Sequence, residues 1–322
     1  MNEFNNCYIN SGLQIIISIS QLLEELNKCE YNNEAKLTNL LKDTIHNMLN
    51  NKIFDPNKFI DLFCLINEDF IKGEQNCSQT FIRTLINNIN DEYIKYNNRK
   101  LIYENNQYNP MENKERIEYE NFLKVYNIYP ESLPKFFFSG MIKTRSYGRC
   151  SYCREEFNNY YFESFIDKIL YINEKCHYLS EILDINMGIC ENIKSKCKKC
   201  GNYIINDIKE YSKFIKLPKI LIFTLQKEKK DINRILIKPE EIIDMKKYID
   251  NSVRLTSTKY ILFAINIRFG KNDKEGHQIC FIKRGDEKWY EVNDIKTRGV
   301  NIKELFNIYN GCIQGFFYKF FE

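Results

Sequence analysis

Histidine is scarce in this chain of 322 residues, which contains three: His46, His177 and His277. Any chemistry that needs an imidazole must therefore use one of them. His46 lies in a run of helical periodicity with no acidic or thiol motif beside it, so we interpret it as a solvated or half-buried helix residue. His277 follows a glycine at the head of an alternating strand pattern, which makes it the histidine to examine.

The chain also lacks a long apolar run and a strong charge of either sign. The apolar stretch at 13–23 is interrupted by polar residues, and no basic leader with a cleavage site precedes it, so neither a membrane span nor a secretory signal is expected. A net charge of +4 gives no argument for nucleic acid. We expect no membrane or nucleic-acid partner and a cytoplasmic or nuclear location. The twelve cysteines are then reduced or bound to metal.

Hydrophobic periodicity divides the chain into a helical part and a later β part. Residues 7–128 repeat apolar side chains at helical spacing, and short runs of β-branched and aromatic residues begin near Leu133. The order predicts an α+β fold with a mostly antiparallel sheet. The predicted helices after the first are Lys36–Asn50, Phe54–Asn67, Cys77–Ile94 and Met111–Tyr126. The predicted strands are Phe136–Ile142, Tyr160–Phe162, Ile169–Ile172, Tyr203–Tyr211, Ile220–Leu225, Ile235–Lys238, Tyr260–Phe269, Gln278–Lys283, Tyr290–Val292 and Gly315–Phe321.

Cys7 opens the first predicted helix, which Asn5 or Asn6 could cap. The positive end of the helix dipole is expected to lower the pKa of a thiol placed there and to favour the nucleophilic thiolate. A small apolar residue in the first turn of a core helix is the structural alternative. The catalytic interpretation of Cys7 therefore depends on partners elsewhere in the chain.

Two C-x-x-C pairs, Cys150 with Cys153 and Cys197 with Cys200, predict a metal site. Each pair can place two thiolates on one ion through a tight turn, and together they give a four-sulfur tetrahedral site that suits structural Zn²⁺. We expect extra strands between the two pairs. Cys190 and His177 lie in that segment as weaker substitute ligands.

A second group of candidate residues lies near the C-terminus. His277 begins one predicted strand and Trp289–Asp294 forms the next. That hairpin would bring the Asn293 carboxamide to the His277 ring, where it could fix the tautomer of a general base as the third member of a Cys–His–Asn triad. A strand-end histidine beside a turn is the structural alternative.

With these motifs together, the chain resembles the ubiquitin-specific protease family of deubiquitinating enzymes. Residues 2–14 (NEFNNCYINSGLQ) resemble the family box N-x-G-N-T-C-Y-x-N-S-x-L-Q, and residues 289–294 (WYEVND) resemble W-x-x-F-[ND]-D. Residues 75–81 (QNCSQTF), 217–227 (LPKILIFTLQK) and 315–318 (GFFY) resemble three further family segments in the same order. The C-x-x-C pairs fall where the family carries its zinc knuckles.

The resemblance implies one papain-like catalytic domain over residues 1–322, with the shape of a right hand. A helical thumb would span about 1–130, zinc-tipped fingers about 135–215, and a β palm about 131–140 and 216–322. The tail of ubiquitin, or of a ubiquitin-like protein, would thread between thumb and palm.

The resemblance also implies residue roles. Cys7 is the expected nucleophile, His277 the general base and acid, Asn293 the residue that orients the histidine, Asn2 the oxyanion-hole asparagine and Asp294 the second acidic position. The substrate-binding positions that match are Cys77, Thr80, Gly276 and Gln278. The implied activity is hydrolysis of the peptide or isopeptide bond after the C-terminal glycine of ubiquitin.

Several positions depart from the family pattern. Phe4 replaces a glycine before the nucleophile, Cys77 and Thr80 replace carboxylates that help to hold the basic ubiquitin tail, and Gln278 replaces an aromatic residue. Two alternatives therefore stay open. One is a hydrolase for a ubiquitin-like modifier, and the other is a non-catalytic ubiquitin-binding scaffold.

Overall fold

The computed structural model describes residues 6–29, 32–50, 56–96, 108–125, 132–172, 175–191, 195–204, 208–227, 237–270, 276–303, 309 and 311–321. Seven of its helices precede the first strand, and the eighth follows β3. They are α1 (Cys7–Ile17), α2 (Ser20–Lys28), α3 (Lys36–Leu49), α4 (Asn57–Ile66), α5 (Ser78–Tyr96), α6 (Asn113–Val125), α7 (Leu133–Phe138) and α8 (Leu179–Met187). In the described part of the chain, none of these helices combines the length and apolarity needed to cross a bilayer.

The strands begin after α7 and continue to the C-terminal end. They are β1 (Gly140–Arg149), β2 (Glu156–Phe165), β3 (Asp167–Ile172), β4 (Cys190–Glu191), β5 (Ser195–Lys196), β6 (Tyr203–Ile204), β7 (Ile208–Lys216), β8 (Ile220–Lys227), β9 (Ile242–Asp244), β10 (Lys259–Phe269), β11 (His277–Lys283), β12 (Trp289–Asn293), β13 (Lys296–Val300) and β14 (Ile313–Phe320). The predicted α+β class is confirmed.

A large sheet of eight strands forms the centre of the fold. Seven follow the order β13-β12-β11-β10-β14-β8-β3, and β9 pairs with β10. Every pairing in this sheet is antiparallel except that of β3 with β8, which is parallel. One face packs against α1–α5 and α7, and the other face packs against α8. Burial on both faces explains why these strands are almost continuously apolar.

Strand β11 contributes side chains to the apolar cores on both faces of the large sheet. Cys280 and Ile282 face the helical side, whereas Ile279 and Phe281 face the opposite core, as the two-residue period of a strand requires. Helix α1 lies on the helical side and approaches α5 closely at Gly12. A Cβ added there would lie 2.5 Å from the ring of Phe81, so only glycine permits this spacing.

A small sheet has four strands in the order β2-β1-β7-β4. Helix α6 covers one of its faces with an aromatic cluster that includes Tyr119 and Phe162. Below this cluster, the ammonium group of Lys143 on β1 lies 2.6 Å from Glu115 on α6 and 2.5 Å from Asp250. All three side chains are largely buried, so this ion pair ties three elements together in a region of low dielectric.

The structure differs from the prediction at one strand and at one helix. The strand predicted at Phe136–Ile142 is wrong at its start, because α7 occupies residues up to Phe138 and β1 begins at Gly140. The Ser132 hydroxyl caps α7 by accepting from the backbone of Lys135, and this cap prevails over the strand preference of three consecutive phenylalanines.

Helix α8 was not predicted, since only extra strands were expected between the two cysteine pairs. Its first turn is fixed by Glu181, whose carboxylate accepts from the backbone N–H groups of His177 and Tyr178. Half of the strand predicted at Ile235–Lys238 lies outside the described residues, and in the described half Lys238 forms an isolated parallel bridge with Tyr178.

Replacing Lys143 with methionine leaves two buried carboxylates without their cation. We expect the free energy of unfolding to fall by about 3 to 5 kcal/mol, measured by urea denaturation. Lys168→Met is the control, because its partner Glu163 is exposed, and we expect a loss below about 1 kcal/mol. Equal losses in the two variants would show that the buried pair has no special weight.

Candidate active site

Cys7 is the first residue of α1 and is only 1% exposed. Its Sγ atom accepts a hydrogen bond from the backbone N–H of Gln278 at 3.4 Å, and it lies 3.9 Å from Oε1 of Gln75. Asn6 is the N-cap residue, but its side chain makes no capping hydrogen bond. The bond to Gln278 joins the start of α1 to the start of β11, where His277 is the preceding residue.

His277 and Asn293 meet across the hairpin of β11 and β12. The register pairs Cys280 with Val292, so Asn293 comes beside the start of β11. Oδ1 of Asn293 lies 2.7 Å from Nε2 of His277. With Nε2 engaged by the carboxamide, Nδ1 is the ring nitrogen that can exchange a proton with a thiol.

Asp294 follows Asn293 in a left-handed backbone conformation, with φ of +52°. One carboxylate oxygen accepts a hydrogen bond from Nδ2 of Asn10 at 3.0 Å, and the other lies 4.0 Å from Nε2 of His277. The acidic side chain therefore lies between the helix that carries Cys7 and the histidine ring.

Beneath these groups, a buried set of polar side chains connects α1, α5, β10 and β11. Oε1 of Gln278 accepts from the backbone N–H of Ser78 at 3.0 Å, and the Ser78 hydroxyl lies 2.7 Å from the same oxygen and 2.9 Å from the carbonyl of Tyr8. Nε2 of Gln278 donates to the carbonyl oxygen of Asn76. Nδ2 of Asn266 donates to the Ser78 hydroxyl at 3.2 Å.

Burial shifts the pKa of the Cys7 thiol in the direction opposite to the expected one. The sequence predicted a lowered pKa for Cys7, but loss of solvation raises it above its usual value, and the charge of Asp294 adds to the increase. The backbone hydrogen bonds from Gln278 and Tyr8 oppose this increase without overcoming it. Cys7 is therefore a neutral thiol at pH 7 and needs a base to become a nucleophile.

The predicted substrate-binding residues occupy different environments. Cys77 and Thr80 are half-buried at the start of α5, with the thiol of Cys77 2.7 Å from Oε1 of Gln79. Gly276 is half-buried beside β10, where a Cβ would lie 2.7 Å from the carbonyl oxygen of Phe269. The Gln278 side chain is fully buried, so it supports the site from inside rather than offering a surface to a ligand. Asn2 lies outside the described residues.

The sequence patterns predicted no role for Asn10, Gln75 or Ser78. All three lie within or beside the two family-like segments, 2–14 and 75–81, and their polar character next to Cys7 and Cys77 was the available signal. Their contacts across the fold could not be read from spacing, because each joins residues from distant parts of the chain.

The two C-x-x-C pairs converge at the end of the small sheet. The sulfur atoms of Cys150, Cys153, Cys197 and Cys200 all lie within 4.8 Å of one another. Cys150 lies 3.7 Å from Cys200, and Cys153 lies 3.6 Å from Cys197. Neither Cys190 nor His177 belongs to this cluster among the described residues.

The backbone of each pair folds into the same turn. The N–H of Arg154 bonds to the carbonyl of Cys150, and the N–H of Gly201 bonds to that of Cys197, both at 2.9 Å. Both residues have left-handed φ angles, of 61° and 76° respectively. Four thiolates at about 2.3 Å from a tetrahedral ion are spaced by about 3.8 Å, so the donor set and its spacing fit a metal ion such as zinc.

The chain is similar in sequence to a known protein family. The sequence model of the family described as ubiquitin carboxyl-terminal hydrolase matches residues 1–310. A mouse protein named ubiquitin carboxyl-terminal hydrolase 17-like protein B is 25% identical over 171 residues, which cover 51% of this chain and 35% of its own. Ubiquitin carboxyl-terminal hydrolase 23 of Arabidopsis thaliana is 24% identical over 194 residues, which cover 56% of this chain and 21% of its own. The matched regions span about a third or less of these curated relatives.

Solved structures share the fold at low sequence identity. The SAGA Ubp8/Sgf11/Sus1/Sgf73 DUB module bound to ubiquitin aldehyde gives a TM-score of 0.70 at 19% identity, covering 100% of this chain and 69% of that one. The same module bound to monoubiquitin gives 0.68 at 21% identity, covering 100% and 68%.

If the cysteine cluster binds zinc, substitution of one ligand should release it. We expect about one zinc per chain in the purified protein and well below one in Cys153→Ser, measured by mass spectrometry of metals. Cys190→Ser is the matched control, because that cysteine is exposed and outside the cluster. Full zinc content in Cys153→Ser would contradict the assignment.

The raised pKa of Cys7 predicts a pH dependence for its alkylation. Since iodoacetamide reacts with the thiolate, the rate at Cys7 should rise with pH and reach its midpoint above the ordinary thiol value of about 8.5. Peptide mass spectrometry resolves Cys7 from the other cysteines, and the exposed Cys190 should react faster at pH 7. A Cys7 midpoint below pH 7 would show that the helix dipole prevails over burial.

Proposed function

The chain belongs to the ubiquitin carboxyl-terminal hydrolase family, and from that premise we propose that it is an active thiol-dependent deubiquitinase. Its reaction is hydrolysis of the peptide or isopeptide bond that follows the C-terminal glycine of ubiquitin. Cys7 is the nucleophile, His277 the base and acid, and Asn293 the residue that orients the histidine.

One observation carries the proposal. The Gln278 N–H bonds to the Cys7 sulfur at 3.4 Å, and His277, the preceding residue, is bonded to Asn293 at 2.7 Å. Residues from the two ends of the chain therefore supply the nucleophile, the imidazole and the carboxamide of one site. Hydrolysis by a thiol requires a nucleophile, a base and a group that orients the base, and this site supplies all three.

The first half of the reaction forms a thioester. His277 takes the thiol proton of Cys7, and the thiolate attacks the carbonyl carbon of the terminal glycine. The Cys7 backbone N–H at the start of α1 stabilises the negative oxygen, and the family resemblance assigns the Asn2 carboxamide the same role. The imidazolium then protonates the departing lysine amine, and the C–N bond breaks.

The second half releases the modifier. His277, now neutral, takes a proton from water, and the resulting hydroxide attacks the thioester carbonyl. The C–S bond breaks, free ubiquitin carboxylate leaves, and the proton returns to Cys7. Because the Cys7 thiol is neutral at rest, transfer of its proton to His277 is a required step.

We assign the four-cysteine cluster a structural Zn²⁺. A site with four thiolate ligands has no open position for a water or substrate, and the cluster lies at the end of the small sheet. The ion would hold the two knuckle turns together and take no part in the chemistry.

Ubiquitin is the proposed substrate because the solved structures that share this fold are described as bound to ubiquitin aldehyde and to monoubiquitin. A ubiquitin-like modifier is the second candidate substrate. It is favoured by the lack of a free carboxylate at the start of α5, where one would bind the basic tail of ubiquitin. Neither Cys77 nor Thr80 offers a carboxylate there, and the nearby carboxylate of Asp167 is held by Arg83 at 3.1 Å.

Replacing Cys7 with alanine removes the nucleophile. We expect turnover of a fluorogenic ubiquitin C-terminal amide to fall by at least about a thousandfold, since the thioester cannot form. Cys190→Ala, an exposed cysteine outside the site, is the control and should keep wild-type activity.

Electrophilic probes separate the alternatives. Covalent labelling of Cys7 by a ubiquitin probe supports the enzyme, and labelling by a ubiquitin-like probe alone supports the second candidate. Binding of ubiquitin without labelling or turnover would identify a scaffold and refute catalysis.

A further inference from the structure

Asn10 makes a contact that the triad chemistry does not use. Its Nδ2 donates to Oδ1 of Asp294 at 3.0 Å, across 284 positions of sequence. We infer that Asn10 is a positioning residue that holds the Asn293–Asp294 turn against the helix of the nucleophile and aims the Asp294 carboxylate at His277. The inference deepens the proposed function and rests on it.

Asn10 is well placed for this role because its own backbone is fixed. It lies three residues after Cys7 on α1, and its backbone N–H bonds to the carbonyl of Asn6 at 3.0 Å. Cys7 and Asn10 therefore lie on the same side of one rigid helix. Because the helix fixes Asn10 relative to Cys7, a movement of Asp294 relative to Asn10 also changes its position relative to the Cys7 sulfur.

The other partner is held by its backbone as well. Asp294 adopts φ of +52° directly after β12, and a left-handed conformation is uncommon outside glycine and is sustained by its surroundings. The hydrogen bond from Asn10 is a side-chain anchor for this turn. Asn293, one residue earlier, carries the oxygen that lies 2.7 Å from His277.

The bond also sets which carboxylate oxygen faces the imidazole. With Oδ1 held by the amide, Oδ2 is the oxygen that lies 4.0 Å from Nε2 of His277. A carboxylate at that distance stabilises the imidazolium that forms when the thiol loses its proton. A neutral amide donor orients the carboxylate without cancelling its charge, which a lysine at the same position would do.

Among the described residues, the charge of Asp294 from the β12–β13 turn and that of Tyr8 from α1 act on the thiol, and His277 directly precedes the Gln278 that bonds to the sulfur. A carboxyl group placed at position 10 would add another titratable group. It could donate to Asp294 only when protonated, and repulsion between the two carboxylates would raise the pKa of the pair.

The experiment compares Asn10→Ala, Asn10→Asp and the charge control Gln14→Glu, which lies one turn further along α1. For Asn10→Ala, we expect kcat on the ubiquitin amide to fall about tenfold or more, with KM within about twofold. For Asn10→Asp, the ratio of its kcat/KM to that of the wild type should fall as pH rises, because the introduced carboxyl loses its donor proton. Gln14→Glu should follow the wild-type pH profile.

A purely structural contact predicts a different pattern. Both Asn10 variants would then lose melting temperature and activity together, equally at every pH, and that result overturns the inference. Wild-type kcat in Asn10→Ala overturns it as well.

A second arm does not depend on turnover. The pH midpoint of Cys7 alkylation by iodoacetamide should move upward in Asn10→Asp relative to Gln14→Glu, since a second carboxylate disfavours the thiolate. An unchanged midpoint would overturn the inference. If the wild type hydrolyses no modifier probe, the proposed function fails, and this arm still decides whether Asn10 controls the electrostatics of the site.

Discussion

The buried side chain of Gln278 is the constraint on which the site depends. A primary amide in the interior must satisfy both its donor and its acceptor, and this one does so through Asn76 and Ser78 at the start of α5. The position of β11 relative to the helices is therefore set by hydrogen bonds, which are more directional than apolar packing. Since the backbone of the same residue reaches the Cys7 sulfur, one residue fixes both the strand of the base and the nucleophile.

This architecture leaves the Cys7 thiol without solvent. The same close approach of α1, α5 and β11 that aligns the reacting groups removes water from Cys7 and raises its pKa. The helix N-terminus alone would favour the opposite shift, and desolvation is the larger effect here because the residue is 1% exposed. Cys7 therefore becomes nucleophilic only when it transfers its proton to His277. Asn293 holds the imidazole in place for this transfer, and the Asp294 carboxylate faces it.

Much of the fold followed from the sequence because its patterns are local. The apolar period from Cys7 onward predicted α1, and the alternation after His277 predicted β11 and its hairpin partner. The two C-x-x-C pairs predicted a four-sulfur cluster, with Cys190 and His177 as weaker substitute ligands that the cluster does not include among the described residues. The helix and the hairpin depend on neighbouring residues, and the cluster depends on a short cysteine spacing that occurs twice.

The errors and omissions came from interactions that spacing does not contain. A single capping hydroxyl turned Phe136–Phe138 into the end of a helix, and a single carboxylate, that of Glu181, fixed the unpredicted start of α8. Burial of Cys7, the bond from Asn10 to Asp294 and the internal position of the Gln278 side chain all require packing between distant segments.

The cysteine cluster has a consequence for how the chain resists unfolding. Cys150 and Cys200 lie 50 positions apart, and joining the ends of a loop of that length removes configurational entropy from the unfolded chain worth about 4 kcal/mol in the disulfide case. A metal bound there would act as a cross-link that a reducing compartment does not break. Its removal would loosen the far end of the small sheet first, because the large sheet keeps its own apolar cores on both faces. A bound ion would thus stabilise the fold through residues separate from those that react.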